Sequence, residues 1–377
     1  MEKVSRIFKA ETQSFFMLGP RGTGKSTLIK DLFPRALYID LLQPDVFRNY
    51  ISRPERLREL IHANQDKKVV VIDEIQKAPQ LLEAVHSLIE EKKDIQFVLT
   101  GSSARKLKKT GANLLAGRAL MKHMHPFIAS ELKDEFKLDN ALRNGLIPVI
   151  LDSSNPAASL HAYIDLYLRE EVQIEGLTRN IGNFSRFLEA ASFSHGSSLN
   201  ISNISRECQV ERKVVEGYVH ILEDLLLAFR LPVFTKRAKR AVTQHPKFYF
   251  FDTGVYNALR PSGPLDRPHE KDGAALEGLV AQHLRAWIDY KHPDYRLFFW
   301  RTGSGTEIDF IVYGKEIFWA IEVKNTAAVR PEDIRALKTF GEDYPEAKRI
   351  LVYRGKEKLK RDGILITPCT EFLMALA

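Results

Sequence analysis

Short apolar runs separated by polar, helix-spaced stretches set the pattern of the first 150 residues. Ser14–Leu18, Ala36–Leu41, Val69–Asp73, Gln96–Thr100 and Leu120–Met124 predict strands. Val69-Val70-Val71-Ile72 is continuous rather than alternating, as a strand covered on both faces of a parallel sheet requires. Leu81, Leu82, Val85, Leu88 and Ile89 recur at helical spacing and predict a helix over Leu81–Glu91. Strand and helix in alternation predict an α/β layered domain with a parallel sheet.

Beyond it the pattern changes twice. From about Glu131 to Leu177 the chain reads mostly helical, with breaks at Gly145–Pro148 and Asp152–Asn155. Then a short helix over Ile201–Cys208, a turn at Gln209-Val210 and a longer helix over Glu211–Leu226 precede strand-like Ala228–Phe234 and Lys247–Phe251. Two helices about a tight turn and then a β-pair is the order of a winged helix-turn-helix. Pro261–Asp272 reads as a linker. A helix carrying Glu277 follows, with strands expected at Tyr295–Trp300, Glu307–Val312, Ile317–Val323 and Arg349–Tyr353, a second α/β unit.

A chain of 377 residues is too long for one ordinary domain. Hydrophobic residues at 44% and charged residues at 28% exclude wholesale disorder. A formal net charge of +8 admits a polyanionic partner without requiring one. Cys208 and Cys369, the only cysteines, exclude a disulfide framework and a Cys-rich zinc site. Met1–Arg6 has no apolar leader pattern and no run approaches a membrane span, so the expectation is a soluble, cytoplasmic protein without a membrane partner.

Gly19-Pro20-Arg21-Gly22-Thr23-Gly24-Lys25-Ser26 is a complete G-x-x-x-x-G-K-[ST] loop, set between an apolar strand and the helical opening Thr27-Leu28-Ile29. Glycines let backbone N–H groups curl around phosphate oxygens, and the helix N-terminus adds positive potential. Lys25 then spans the β- and γ-phosphates of ATP and Ser26 holds Mg²⁺. Val69–Glu74 supplies Asp73 to orient the metal and Glu74 to polarise the attacking water. Phe97–Thr100 ends in Gly101-Ser102-Ser103, where Thr100 or Ser102 is placed to sense the γ-phosphate. Arg118, after the expected fourth strand, is a candidate to reach a γ-phosphate in its own chain or a neighbour's; Arg105, in the basic run to Lys109, is a poorer one.

Leu99–Ser103, Leu115-Ala116-Gly117-Arg118, Pro126-Phe127 and Tyr249–Gly254, with the P-loop and Ile72–Gln76, resemble a prokaryotic AAA+-type ATPase family that carries a C-terminal domain of unknown function 4143. The resemblance spans nearly the whole chain. It implies a P-loop AAA+-like ATPase domain at 1–130, a helical lid at 131–180, a winged helix-turn-helix at 181–262 and a nuclease-like domain at 263–377.

In that tail Asp309 is a charge inside an apolar strand, where an unpaired carboxylate is costly. Glu322 and Lys324 share a strand face. Glu277, Asp309, Glu322 and Lys324 resemble the PD-(D/E)XK nuclease superfamily, although Asp309 follows Ile308 rather than a proline. The resemblance implies Mg²⁺ or Mn²⁺ on Asp309 and Glu322, Lys324 assisting the water and Glu277 supporting. Two readings stay open: an active metal-dependent deoxyribonuclease, or an inactive nuclease fold that clamps DNA. Arg212 and Lys213 opening the longer helix, then Arg230, Lys236, Arg237, Lys239 and Arg240, offer a basic surface to DNA; packing between domains is the alternative. The expectation is an ATP-driven, DNA-acting enzyme that works as a homo-oligomer.

Overall fold

The computed structural model describes residues 4–91, 94–103, 115–168, 180–236, 245–263 and 268–377, the side chains of 166–168 and 268–269 excepted. The chain divides into two compact units: one of Phe8–His125 with Asp224–Leu226, the other of Met1–Ile7, Pro126–Glu223 and Leu227–Ala377.

The first unit is built on five parallel strands, β1 (Phe15–Leu18), β2 (Leu37–Asp40), β3 (Val69–Asp73), β4 (Gln96–Gly101) and β5 (Leu120–His123), in the order β2-β3-β4-β1-β5. From β1 the chain crosses to the edge strand β2, returns through β3 to β4 beside β1, and then passes to β5 on the far side. Crossovers leaving in opposite directions open a crevice at the carboxyl ends of the strands. The uninterrupted apolar runs expected for a doubly covered sheet are the central strands β1, β3 and β4, whereas the edges β2 and β5 are only partly buried. Among the described residues the α-helices of this unit are α1 (Lys25–Leu32), α2 (Pro44–Ser52), α3 (Arg56–Ala63) and α4 (Leu81–Glu91). Leu81, Leu82, Val85 and Leu88 of α4 join Val70, Ile72, Phe97 and Leu99 in one core.

The second unit has two sheets. β6 (Ser197–Ser198), β7 (Ala228–Leu231) and β8 (Lys247–Phe250) form an antiparallel sheet in the order β6-β8-β7; helix Ile181–Ser192 precedes it, and helices Ile201–Cys208 and Arg212–Asp224 lie between β6 and β7. The expected strand Ala228–Phe234 is shorter: Pro232 has no N–H for the ladder, and beyond it Val233 bridges Phe299 instead.

The larger sheet contains β9 (Arg296–Arg301), β10 (Glu307–Tyr313), β11 (Phe318–Lys324), β12 (Lys348–Tyr353), β13 (Leu359–Arg361) and β14 (Ile364–Pro368), in the order β13-β14-β12-β11-β10-β9. Its first three strands are antiparallel, while β11, β12 and β14 run parallel. Ala320 lies in a core with Leu337 and Phe340 of helix Arg335–Asp343. Its neighbour Trp319 stacks at 5.6 Å on Trp287 of helix Pro268–Lys291. Adjacent residues on a strand point oppositely, so the two helices cover opposite faces. β13, β14 and the helices Thr253–Leu259 and Cys369–Met374 were not expected from the pattern. The linker assigned to Pro261–Asp272 is corrected: the long helix already begins at Pro268, because proline is tolerated in the first helical turn.

Asp252 ties the helical stretch to this unit. It is 1% exposed, accepts from Leu146 N at 2.8 Å, and caps helix Thr253–Leu259 through Gly254 N and Val255 N at 2.9 and 3.2 Å. Gly145 has φ of +72°, and a Cβ there would lie 1.9 Å from Asp252 Oδ1. Burial still raises the Asp252 pKa to about 6, against the pull of those three N–H donors. Among the described residues no helix is long and apolar enough to cross a membrane, and both cysteines are buried and unbridged. Asp252→Ala leaves three N–H groups without their acceptor and is expected to cost about 3 kcal/mol, read as a lower urea midpoint at unchanged slope.

Candidate functional site

The P-loop follows β1 at the carboxyl edge of the five-stranded sheet and leads into α1 at Lys25. Gly24 takes φ of +87°, a left-handed conformation that a side chain would strain, with open space beyond its Cα. Lys25 is 5% exposed, and its Nζ donates to the carbonyls of Gly19 at 2.7 Å and Pro20 at 3.0 Å. Thr23 Oγ1 closes the loop on Pro20 O at 2.7 Å. Ser26 is half-buried, while Arg21 and Thr27 are exposed.

Asp73 ends β3 and is 2% exposed. Thr100 Oγ1 on β4 donates to one of its carboxylate oxygens, and Tyr38 Oη on β2 donates to the other at 2.5 Å. Burial and the Asp73 carboxylate hold the Tyr38 hydroxyl protonated, and a hydrogen bond with Ser26 pulls in the opposite direction. The Tyr38 hydroxyl thus bonds Asp73 and lies near enough to Ser26 to feel it, so the two proposed Mg²⁺ ligands flank one phenol. A serine hydroxyl beside a buried carboxylate at a phosphate loop fits a hard, oxygen-seeking cation. Glu74 adopts φ of +60°, unusual for a residue with a side chain. That conformation is pinned by its N–H on Thr100 Oγ1 at 3.1 Å. Its carboxylate accepts from Gln76 Nε2 and, at 3.4 Å, from Ser102 Oγ.

Arg118 is not brought to this cluster. It precedes β5, whose first residue Leu120 pairs with Phe15 at the start of β1, so it lies at the amino edge of the sheet. There its Nε pairs with Glu90 on α4. Arg105 falls outside the described residues, as do Arg237, Lys239 and Arg240.

In the second unit Glu277, Asp309, Glu322 and Lys324 do converge, with Lys247, Tyr249 and Glu307 among them. Ile308 and Ile311 lie in the same core although three residues apart, because β10 bulges against β9 between them. Asp309 sits on that bulge, with Oδ2 accepting from Val323 N at 2.9 Å. Its Oδ1 accepts from Lys247 Nζ at 3.1 Å. The same ammonium lies 2.9 Å from Glu277 Oε1 and 2.5 Å from Glu307 Oε1. Tyr249 Oη donates to Glu277 Oε1 at 2.6 Å, and Lys324 Nζ donates to Glu322 Oε1 at 2.7 Å. Burial opposes the charge on Lys247, but Glu277, Asp309 and Glu307 outweigh it and keep the ammonium protonated well above its usual range. Burial, reinforced by Asp309, pushes Glu277 and Glu322 above the usual carboxylate range.

The tail residues as placed do not fit a divalent metal. An ammonium occupies the space among three carboxylates, and among the described residues no group of three or more His, Cys, Asp or Glu converges as a metal site. Glu322 Oε2 is buried with no hydrogen-bond partner.

Residues 11–133 match the family profile of an AAA domain. The first unit carries an AAA-type P-loop ATPase domain. Beyond this AAA domain, residues 135–266 and 272–372 match two domains of unknown function, DUF8612 and DUF4143. No curated protein matches the chain. Similar solved structures include the replication initiator DnaA bound to AMPPCP and single-stranded DNA, at 14% identity and TM-score 0.28, covering 56% of this chain and 82% of that one. Another is a signal-transduction ATPase (STAND) protein with a tetratricopeptide repeat sensor from Pyrococcus horikoshii, at 10% identity and TM-score 0.27, covering 76% of this chain and 48% of that one. A protein from Vibrio cholerae matches at 12% identity and TM-score 0.23, covering 96% of this chain and 95% of that one.

Tyr38 and Gln76 in the AAA domain, and Lys247, Tyr249 and His195 in the second unit, were not read as site residues. Lys247 and Tyr249 had a signal: two polar-tipped side chains two apart on an apolar strand share a face. His195 had none. It is 5% exposed, stacks at 4.1 Å on Tyr256, and accepts from Phe250 N at 3.1 Å through Nδ1. Burial lowers its pKa to about 3, so it is neutral. A lowered folded pKa contributes stability that is full above the unfolded value of 6.5 and is lost as pH falls below it. His195→Gln is therefore expected to flatten the dependence of unfolding free energy on pH between 6.5 and 4.5 by about 1.4 kcal/mol per pH unit. Urea titrations of both proteins at several pH values check this, and equal slopes would reject it.

Proposed function

We propose that the chain is a Mg²⁺-dependent ATPase that uses nucleotide binding and hydrolysis to switch its action on DNA. The observation that carries the ATPase reading is the shared network at the carboxyl edge, where Tyr38 and Thr100 both hydrogen-bond Asp73 while Thr100 also holds the Glu74 backbone. Bound Mg²⁺ would supply charge neutralisation on the β- and γ-phosphates, with Ser26 and Asp73 holding it. Arg21 to Gly24 present backbone N–H groups to the phosphates, and Lys25 exchanges its loop carbonyls for phosphate oxygens. Glu74, aimed by its left-handed backbone and released from Gln76 and Ser102, takes the proton of the attacking water.

Arg118 at the amino edge does not serve its own nucleotide. In this reading it acts on the site of a neighbouring copy in a homo-oligomer. Support for DNA as partner is the net charge of +8 and the exposed Arg212 and Lys213 at the start of helix Arg212–Asp224. A helix start with two cations suits phosphate contact in a winged-helix arrangement. Between the two expectations for the tail, the position of Lys247 favours an ATP-switched DNA-binding protein over a metal-dependent nuclease.

Lys25→Ala is expected to abolish ATP binding in isothermal titration, whereas Glu74→Gln binds ATP and turns it over at least about 100-fold more slowly. Equal loss of binding in both variants sinks these roles. Replacing Arg212 and Lys213 by Ala together is expected to weaken duplex binding about equally across sequences and to reduce its salt dependence, measured by fluorescence anisotropy. ATP turnover indifferent to DNA, with no mobility shift, would point to a protein partner. Mn²⁺-dependent scission lost in Asp309→Ala would restore the nuclease reading.

A further inference from the structure

The acidic cluster of the tail contains its own cation. Lys247 Nζ lies within 2.5–3.1 Å of one oxygen each from Glu307, Glu277 and Asp309, contributed by β10 and helix Pro268–Lys291. We propose that Lys247 is a resident substitute for a divalent cation, so that the tail is a lysine-neutralised acidic site that binds no metal until this ammonium is removed. The inference rests on the second unit's geometry and stands whether or not DNA is the partner.

Three observations show the ammonium as resident. Lys247 lies on β8, the middle strand of its sheet, with Ser198 opposite on one side and Leu231 on the other, so its backbone is held by both neighbours. The residue is 2% exposed, which leaves its side chain no solvated position in this fold. Its neighbour on the same face, Tyr249, bonds the same Glu277 oxygen, so strand and helix are joined by two polar contacts rather than one swinging side chain.

The remaining ligands are displaced in a way that matches. Asp309 gives one oxygen to Lys247 and the other to Val323 N, so each already carries a positive or N–H partner. Glu322 Oε2 is left buried and unpartnered, with Lys324 on its other oxygen. A divalent ion between Asp309 and Glu322 would lie beside the Lys247 ammonium and be repelled by it. With the ammonium gone, three carboxylates lose their counter-charge and the orphaned Glu322 oxygen gains a use. That oxygen-only donor set would take a hard ion such as Mn²⁺ or Mg²⁺.

The test is Mn²⁺ binding followed by electron paramagnetic resonance on the nucleotide-free full chain. The P-loop contribution is common to all variants, so the difference made by Asp309→Asn reads the tail alone. Wild type and Asp309→Asn are expected to titrate alike. Lys247→Met, close in length without the charge, is expected to gain one site per chain, about 10–100-fold tighter than any residual wild-type binding there, and to lose it on adding Asp309→Asn. Lys247→Met with Glu277→Gln, which removes one carboxylate along with the ammonium, gives the same gain should the single variant fail to fold. An Asp309-dependent Mn²⁺ site in wild type overturns the proposal. So does a folded Lys247→Met chain, or its Glu277→Gln companion, that gains none.

Discussion

A single buried ammonium joins three elements of the larger unit. Lys247 brings β8 of the small sheet, helix Pro268–Lys291 and β10 of the large sheet to one point through Glu277, Glu307 and Asp309. Charges removed from water are costly, and breaking such a group by deleting one member costs about 3–5 kcal/mol because the others stay buried and unpaired. The arrangement therefore constrains much else: the bulge that aims Asp309, the facing of Lys247 and Tyr249, and the neutral His195 packed beside Tyr249. Apolar packing supplies the mass of the core, with Phe234, Trp300 and Phe340 among its members, but it does not set which polar groups meet.

The AAA domain solves a different problem by topology. Placing β4 between β3 and β1 puts Thr100 within reach of Asp73 and Glu74, and the P-loop at the same edge. Parallel strands deliver all their carboxyl ends to one side, so loops distant in sequence meet there without further devices. The same logic sends Arg118 to the other edge, since a residue just before a parallel strand must lie opposite the residues just after one.

The two sites treat buried charge in contrasting ways. At the nucleotide edge a lysine rests on backbone carbonyls, contacts that phosphate oxygens can replace. In the tail a lysine rests on carboxylates, its charge already matched. Lys25 belongs to a phosphate loop, where its charge rests on carbonyls, and Lys247 to a cluster whose carboxylates already neutralise it.

Much of this was legible along the chain. The P-loop, the doubly buried Val69–Asp73 strand and the Leu81–Glu91 helix follow from local spacing, because glycine freedom, strand burial and helical periodicity act over a few residues. Asp309 announced itself as a charge in an apolar strand. Its partner did not, because a lone carboxylate in sequence is equally compatible with a metal or an ammonium. Lys247 lies 62 residues away, and Tyr38 lies 35 residues from Asp73 on a strand that becomes its neighbour only through the sheet order. Local spacing determined the P-loop, the central strands of the AAA domain and which residues carry charge, though not β13, β14 or the start of the long helix at Pro268. Only the tertiary structure decided which charges neutralise one another, since that depends on strand order and on a bulge, neither of which is encoded within a local window.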